Sequence, residues 1–449
     1  MNSLLKENDY DYYFIFFLFF IVWSIESFVC IRVADDVSNL NIQYFERCFW
    51  ALKLGGWSSR FIIDPVAFFL ISKLPYVVWK VFNSVLMTMQ IIFLNKIFNK
   101  ERENFYLFVI GCCTFLFPYS QEYCAGWCFT TVTYYWTLIS AVISFYYVKE
   151  IYENNKLSFF QNFVLFIATL YACDSELSCL FCLISVLFVF ISNYIEKRNV
   201  NSKLLVILIV CFLRFSLHVF WQMNMTRNIQ EIVVHYPDFL MLSFVDKLQN
   251  GFSTCCHLIF IDFPQLALLL SVVLATHVFI SKKANKSKVI SLLAPFFLFS
   301  YVFSHHFYTF DFFKKIDVDY SPVYGLINFS NFSELKSYIE LIVFFVILGS
   351  LAFSIFSIPR NISISLSHFG ILLGGFFSRM AMGFSPTIYA SGLRTFSFVQ
   401  GALMICLVAE LSSLKKSNKQ YSMACSYICI LFGIVSILRI ILDSYGVGR

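Results

Sequence analysis

Residues 174–203 read DSELSCLFCLISVLFVFISNYIEKRNVNSK, and this stretch decides the fold. The run 177–195 is nearly all apolar, close to the roughly 20 residues a helix needs to cross the hydrocarbon core. Asp174 and Glu176 stand at one end, and Lys197, Arg198 and Lys203 at the other. The stretch therefore predicts a membrane span with an acidic end and a basic end.

Similar runs recur at 13–33, 77–95, 105–118, 132–148, 157–172, 203–221, 265–281, 288–304, 338–357, 362–378, 394–412 and 422–442. Of 449 residues, 59% are hydrophobic and 13% charged, and the mean hydropathy is +0.74. Soluble chains carry about 25% charged residues, so lipid must be the solvent for most of this surface. The fold class is an all-α, polytopic transmembrane helical bundle of about 12–14 spans, with residues 1–449 as a single transmembrane domain. The first run, preceded by Glu7, Asp9 and Asp11, reads as a retained span and not a cleaved signal.

The run 61–72 is interrupted by Asp64-Pro65 and closed by Lys73 and Pro75. Before it, Phe45, Cys48, Phe49 and Leu52 fall at i, i+3, i+4, i+7, with Glu46, Arg47 and Lys53 off that face. This pattern predicts interfacial helices within 42–73 rather than a span.

Lys and Arg mark the cytoplasmic loops. With the N-terminus inside, the turns at 95–104, 149–156, 196–203, 281–288, 360 and 413–419 all carry positive charge. The intervening turns 119–131 and 173–176 carry none, so the alternation is consistent. The outer side then owns the loops 34–76, 222–264 and 305–337, with 379–393. Fifty-seven Phe and 25 Tyr fit interfacial aromatic belts. Fifteen Cys, mostly inside apolar runs, read as small apolar residues. No basic tract suggests nucleic acid, and no Walker loop, Rossmann fingerprint, H-E-x-x-H or G-x-S-x-G is present.

The outer side gathers the polar chemistry. Asp35 and Asp36 stand at the outer end of the first span and read either as a solvated helix end or as a general base, since like charges at close range would raise one pKa toward the working range. Arg60 follows Gly55-Gly56-Trp57-Ser58-Ser59, a context equally suited to holding phosphate or to snorkelling. The turn 119–136 is rich in aromatic and hydroxyl groups, including Trp127 and Tyr134, and reads as a carbohydrate surface or an aromatic belt. Asp174 and Glu176 are ionisable groups close to hydrocarbon, which are expensive and hence functional candidates. Arg227 follows a span directly, and Arg379 and Arg394 bracket a segment containing Tyr389. His305 and His306 are adjacent, a poor arrangement for one metal ion.

Several of these residues carry a resemblance. Asp35-Asp36, Arg60, Leu74-Pro75 through Val81-Phe82-Asn83, Gly126-Trp127 with Thr131 to Trp136, Ala172 with Ser175-Glu176, Met225-Thr226-Arg227 and the stretch Met382 to Arg394 resemble a bacterial multi-spanning family of unknown function. That family is related to the glucosyltransferases that decorate O-antigen, and the group resembles the fold-C glycosyltransferases. The resemblance implies an integral membrane glycosyltransferase that moves a sugar from a polyprenyl-phosphate-linked donor to a saccharide-bearing acceptor in the cell envelope. It implies Asp35 or Asp36 as base and Arg60, Arg227, Arg379 or Arg394 at the donor phosphate, with Trp127, Tyr134, Glu176 and Tyr389 as substrate-binding candidates. No cofactor is expected, although a diphosphate donor would call for a divalent metal. One departure is Asp174, where the related pattern tends to have Asn. The alternatives are a flippase or transporter of lipid-linked saccharides, a polymerase, and a structural membrane subunit.

Overall fold

The computed structural model describes residues 12–29, 58–99, 103–117, 127–197, 200–281, 283–307, 327 and 332–447. Among these residues every regular element is helical and there is no strand. Each of the apolar runs read from the sequence forms a helix. The first half comprises α1 (Tyr12–Val29), α2 (Ile63–Lys73), α3 (Tyr76–Phe98), α4 (Asn104–Thr114), α5 (Cys128–Tyr152), α6 (Phe159–Ala172), α7 (Glu176–Lys197) and α8 (Ser202–Phe220). The second half comprises α9 (Gln222–His235), α10 (Phe244–Asp262), α11 (Gln265–Ile280), α12 (Asn285–Phe307), α13 (Leu335–Ser357), α14 (Ile362–Met380), α15 (Ser397–Ser417) and α16 (Lys419–Val447).

Among the described residues seven helices are long and apolar enough to cross a membrane, or eight if α10 and α11, bent by 78°, make one broken span. The sequence count of about 12–14 counted apolar runs, and several of those runs build short helices. α4 has 11 residues and rises only about 17 Å. α14 has the length, but its serines, His368 and Arg379 dilute its apolarity.

Two segments differ from their sequence reading in an instructive way. Asp64-Pro65, read as a break, lies in the first turn of α2, where proline costs no hydrogen bond because first-turn N–H groups have no intrahelical partner. The outer loop 222–264 is largely helical, being occupied by α9, a 3-10 turn at Pro237–Met241 and α10.

The centre of the bundle is α15, whose residues from Ser397 to Leu414 are nearly all buried. It packs against α7, α11, α14 and α16. Phe181 of α7 and Phe398 of α15, both fully buried, meet at 6.1 Å between ring centroids. α8 lies on the outside, burying only Leu204, Ile207, Cys211 and His218. α10 approaches the end of α14 backbone to backbone. A Cβ on Gly383 would sit 1.9 Å from Lys247 O, and one on Gly251 2.2 Å from Met380 O, so the approach needs glycine on both sides.

The two ends of the bundle carry different sets of charged residues, and neither is of one sign. Lys149, Lys197, Arg360 and Lys416, from four of the turns read as cytoplasmic, border one cavity of about 910 Å³. Arg60, Glu176, Arg227 and Arg394 border another at the opposite ends of α7, α14 and α15.

Candidate functional site

The site begins with a helix that cannot cap itself. The first N–H groups of α2 lack intrahelical partners, and its own N-cap position offers no side-chain acceptor. The carboxylate of Asp174, in the tight turn between α6 and α7, accepts N–H bonds from Phe61 (3.1 Å), Ile62 (2.8 Å) and Ile63 (2.8 Å). It also pairs with Arg214 of α8. An anion at a helix N-terminus is favoured by both donors and dipole. Burial pushes the Asp174 carboxyl up to about 6, against the pull of the backbone donors and Arg214. The three N–H donors and the Arg214 guanidinium favour its ionised form.

The residues just before α2 are pinned from the same direction. Ser59 O accepts from Arg214 Nη2 at 3.0 Å. Ser59 Oγ lies 2.6 Å from His218 Nδ1 and accepts from Asn224 Nδ2 at 2.9 Å. His218 Nε2 contacts the carbonyl of Cys173 at 2.8 Å. A carbonyl only accepts, so Nε2 carries the proton and Nδ1 is left to accept from Ser59 in the neutral ring. Segment 58–63 is thus clamped by residues of α8, α9 and the Asp174 turn.

This clamp presents Arg60 to Glu176. Arg60 donates from Nε (3.1 Å) and Nη2 (2.9 Å) to Glu176 Oε2, while Arg227 Nη2 approaches Oε1 at 3.5 Å. The three side chains line a cavity of about 700 Å³ together with Arg394, Tyr134, Asn224 and Glu231. Asp64 also lines it, with Oδ2 accepting from Ser58 Oγ at 2.6 Å. Its buried Oδ1 has no hydrogen-bond partner, and burial raises its pKa above the ordinary carboxylate value. Tyr134 projects from a π-helical turn, Thr131–Tyr135, an irregularity frequent at functional sites. Phe68, Phe129, Leu177 and Phe215 supply the apolar walls.

The structure therefore brings together Arg60, Arg227, Arg394, Tyr134 and Glu176, five of the residues singled out in the sequence. Arg379 is buried off that wall, its guanidinium 4.1 Å from the ring centroid of Phe396. Tyr389 packs on Tyr236, with centroids 5.8 Å apart, and Trp127 is buried; neither lines the cavity. Asp35 and Asp36 lie outside the described residues, as do the residues Phe45 to Leu52 of the expected interfacial helix. Cys255 and Cys256 are buried free thiols, and Cys128 is buried. Among the described residues no group of three His, Cys, Asp or Glu is arranged to hold a metal ion. Asp64, Arg214, His218 and Asn224 were not singled out. For Arg214 and His218 the available signal was an ionisable group within the apolar run 203–221.

Cations and carboxylates gathered around one cavity suit an anion bearing hydroxyl groups. Two guanidinium groups facing one carboxylate leave donors free for phosphate oxygens, and Asp64 Oδ1 is a free acceptor.

The helices define a multi-pass membrane protein with an ionised cavity at one end of the bundle. Comparison with protein families, with characterised proteins and with solved structures finds no match to this chain.

Proposed function

We propose that the protein is an integral membrane glycosyltransferase that takes a sugar from a polyprenyl-phosphate-linked donor and passes it to a cell-envelope acceptor on the extracytoplasmic face. The observation that carries this reading is the convergence of Arg60, Arg227, Arg394, Glu176 and Asp64 on one cavity. The arginines neutralise the charge that develops on the leaving phosphate. A carboxylate removes the acceptor's hydroxyl proton as that oxygen attacks the anomeric carbon, inverting it through an oxocarbenium-like transition state. The resemblance gives that role to Asp35 or Asp36; Asp64 is the carboxylate on the cavity wall with an uncommitted oxygen.

A second reading, a flippase of lipid-linked saccharides, is favoured by one specific feature. The cavity at the lysine-bearing end shares α7, α14 and α15 with the first, and the Phe181–Phe398 contact lies between them. The two readings separate in proteoliposomes holding a donor labelled in both sugar and lipid. The transferase moves sugar off the lipid without moving lipid across the bilayer. Lipid crossing with its sugar still attached would overturn it in favour of the flippase.

A further inference from the structure

We propose that α9 lies flat in the lipid interface at the arginine-bearing end, so that the cavity opens sideways into that leaflet and receives the phosphate end of an amphiphile whose tail stays in the bilayer. The ligand rests on the phosphate reading above; the placement of the helix does not.

The helix has two faces with two tasks. Asn224, Arg227, Asn228 and Glu231, at i, i+3, i+4 and i+7, line the cavity. Ile229 and Val233, at i+5 and i+9 from Asn224, are not among the lining residues and are 66% and 73% exposed, while Met225 stands at the edge between the two faces, lining the cavity and 53% exposed. Periodicity of this kind belongs to a helix buried by about 5–10 Å at the headgroup–acyl boundary.

The occupant of that apolar face follows from continuity. α8 presents Val206, Phe212, Leu213 and Phe220 outward along a helix apolar enough to span the membrane, so lipid is its partner. Trp221 is the only residue between α8 and α9, and tryptophan is enriched at the membrane–water boundary. The exposed stripe resumes at once in Met225, and beyond α9 it continues in Leu240, Met241 (85% exposed) and Phe244. A water-facing helix would leave this surface without a solvent.

The mouth of the cavity carries the same character. Val219 and Met225 on one side, and Phe384 on the other, are both cavity-lining and exposed. Phe384 packs against Phe244, with centroids 5.2 Å apart. An apolar rim around a guanidinium-lined interior matches a ligand with a charged head and a hydrocarbon tail, and it penalises a fully hydrated anion.

Two measurements on the full chain in lipid nanodiscs test this. A fluorescent non-canonical amino acid replaces Ile229 or, as the other-side control, Gln230, and is challenged with lipids quenching at shallow depth or with aqueous iodide. The lipid quencher is expected to act on position 229 and iodide on position 230; iodide reaching both equally overturns the placement. Binding is then compared for a long-chain polyisoprenyl monophosphate and for inorganic phosphate. The long-chain ligand is expected to bind at least tenfold more tightly, and Ile229→Asp with Val233→Asp to remove that advantage. Equal affinity for the two ligands overturns the sideways opening. If neither phosphate binds while position 229 still meets lipid, the phosphate reading fails and the interfacial helix stands.

Discussion

Replacing Asp174 by Ala removes the acceptor of three backbone N–H groups and the partner of Arg214 in one step. The Asp174 side chain is fully buried and that of Arg214 is 14% exposed, so the pair has little solvent screening. Breaking a buried pair from one side typically costs about 3–5 kcal/mol, because the remaining charge is left uncompensated. Against a total stability of about 5–15 kcal/mol, that is a large loss. The assay is SDS-induced unfolding in mixed micelles of wild type, Asp174→Ala, Arg214→Met and the double variant. The single Asp174 variant should lose about 3–5 kcal/mol, and the double variant should be less destabilised than the sum by about 1–3 kcal/mol. Additivity within about 0.5 kcal/mol, or a loss below about 1 kcal/mol for the single variant, would refute the clamp.

The clamp also predicts a pH dependence. Asp174 titrates near 6, so phosphate-ligand affinity should decline in wild type as pH falls from 7 to 5, and Asp174→Asn should be weak throughout, by titration of the same ligand. Gly383→Val places a side chain where even a Cβ sits 1.9 Å from Lys247 O; it should cost about 1–3 kcal/mol in the same unfolding assay. Glu410 in α15 is fully buried, with Arg360 Nη1 at 2.8 Å and His368 Nδ1 at 2.8 Å. Glu410→Ala should cost about 3–5 kcal/mol yet leave phosphate affinity unchanged, since it lies at the other cavity's end. A loss of affinity beyond twofold in equally folded protein would join the two ends functionally.

Much of the architecture was legible because lipid imposes a coarse code of apolar runs separated by charged turns. Residues 174–203 alone display it, and basic residues from four of the six positively charged turns border one cavity. The number of spans was less legible, because a run such as 105–118 is apolar whether it spans or stops short as the 11-residue α4 does. The site was legible where charge stood at the end of a run, as at Arg60, Glu176 and Arg227. It was illegible where polar residues meet across great sequence distance: Ser59 and His218 are 159 positions apart. Asp64 was hidden by its own context. Beside Pro65 it reads as a helix breaker, and only the docking of the α2 N-terminus on Asp174 turns it toward the cavity.

The central claim is sugar transfer by this site, and it is tested most directly by following radiolabelled sugar from extracted polyprenyl-linked donors. The comparison uses membranes carrying equal amounts of wild type, Arg60→Ala, Asp35→Asn, Asp36→Asn or Asp64→Asn. The account predicts transfer by wild type, its loss in Arg60→Ala, and its loss in one of the three carboxylate variants. Equal transfer in all five would contradict it.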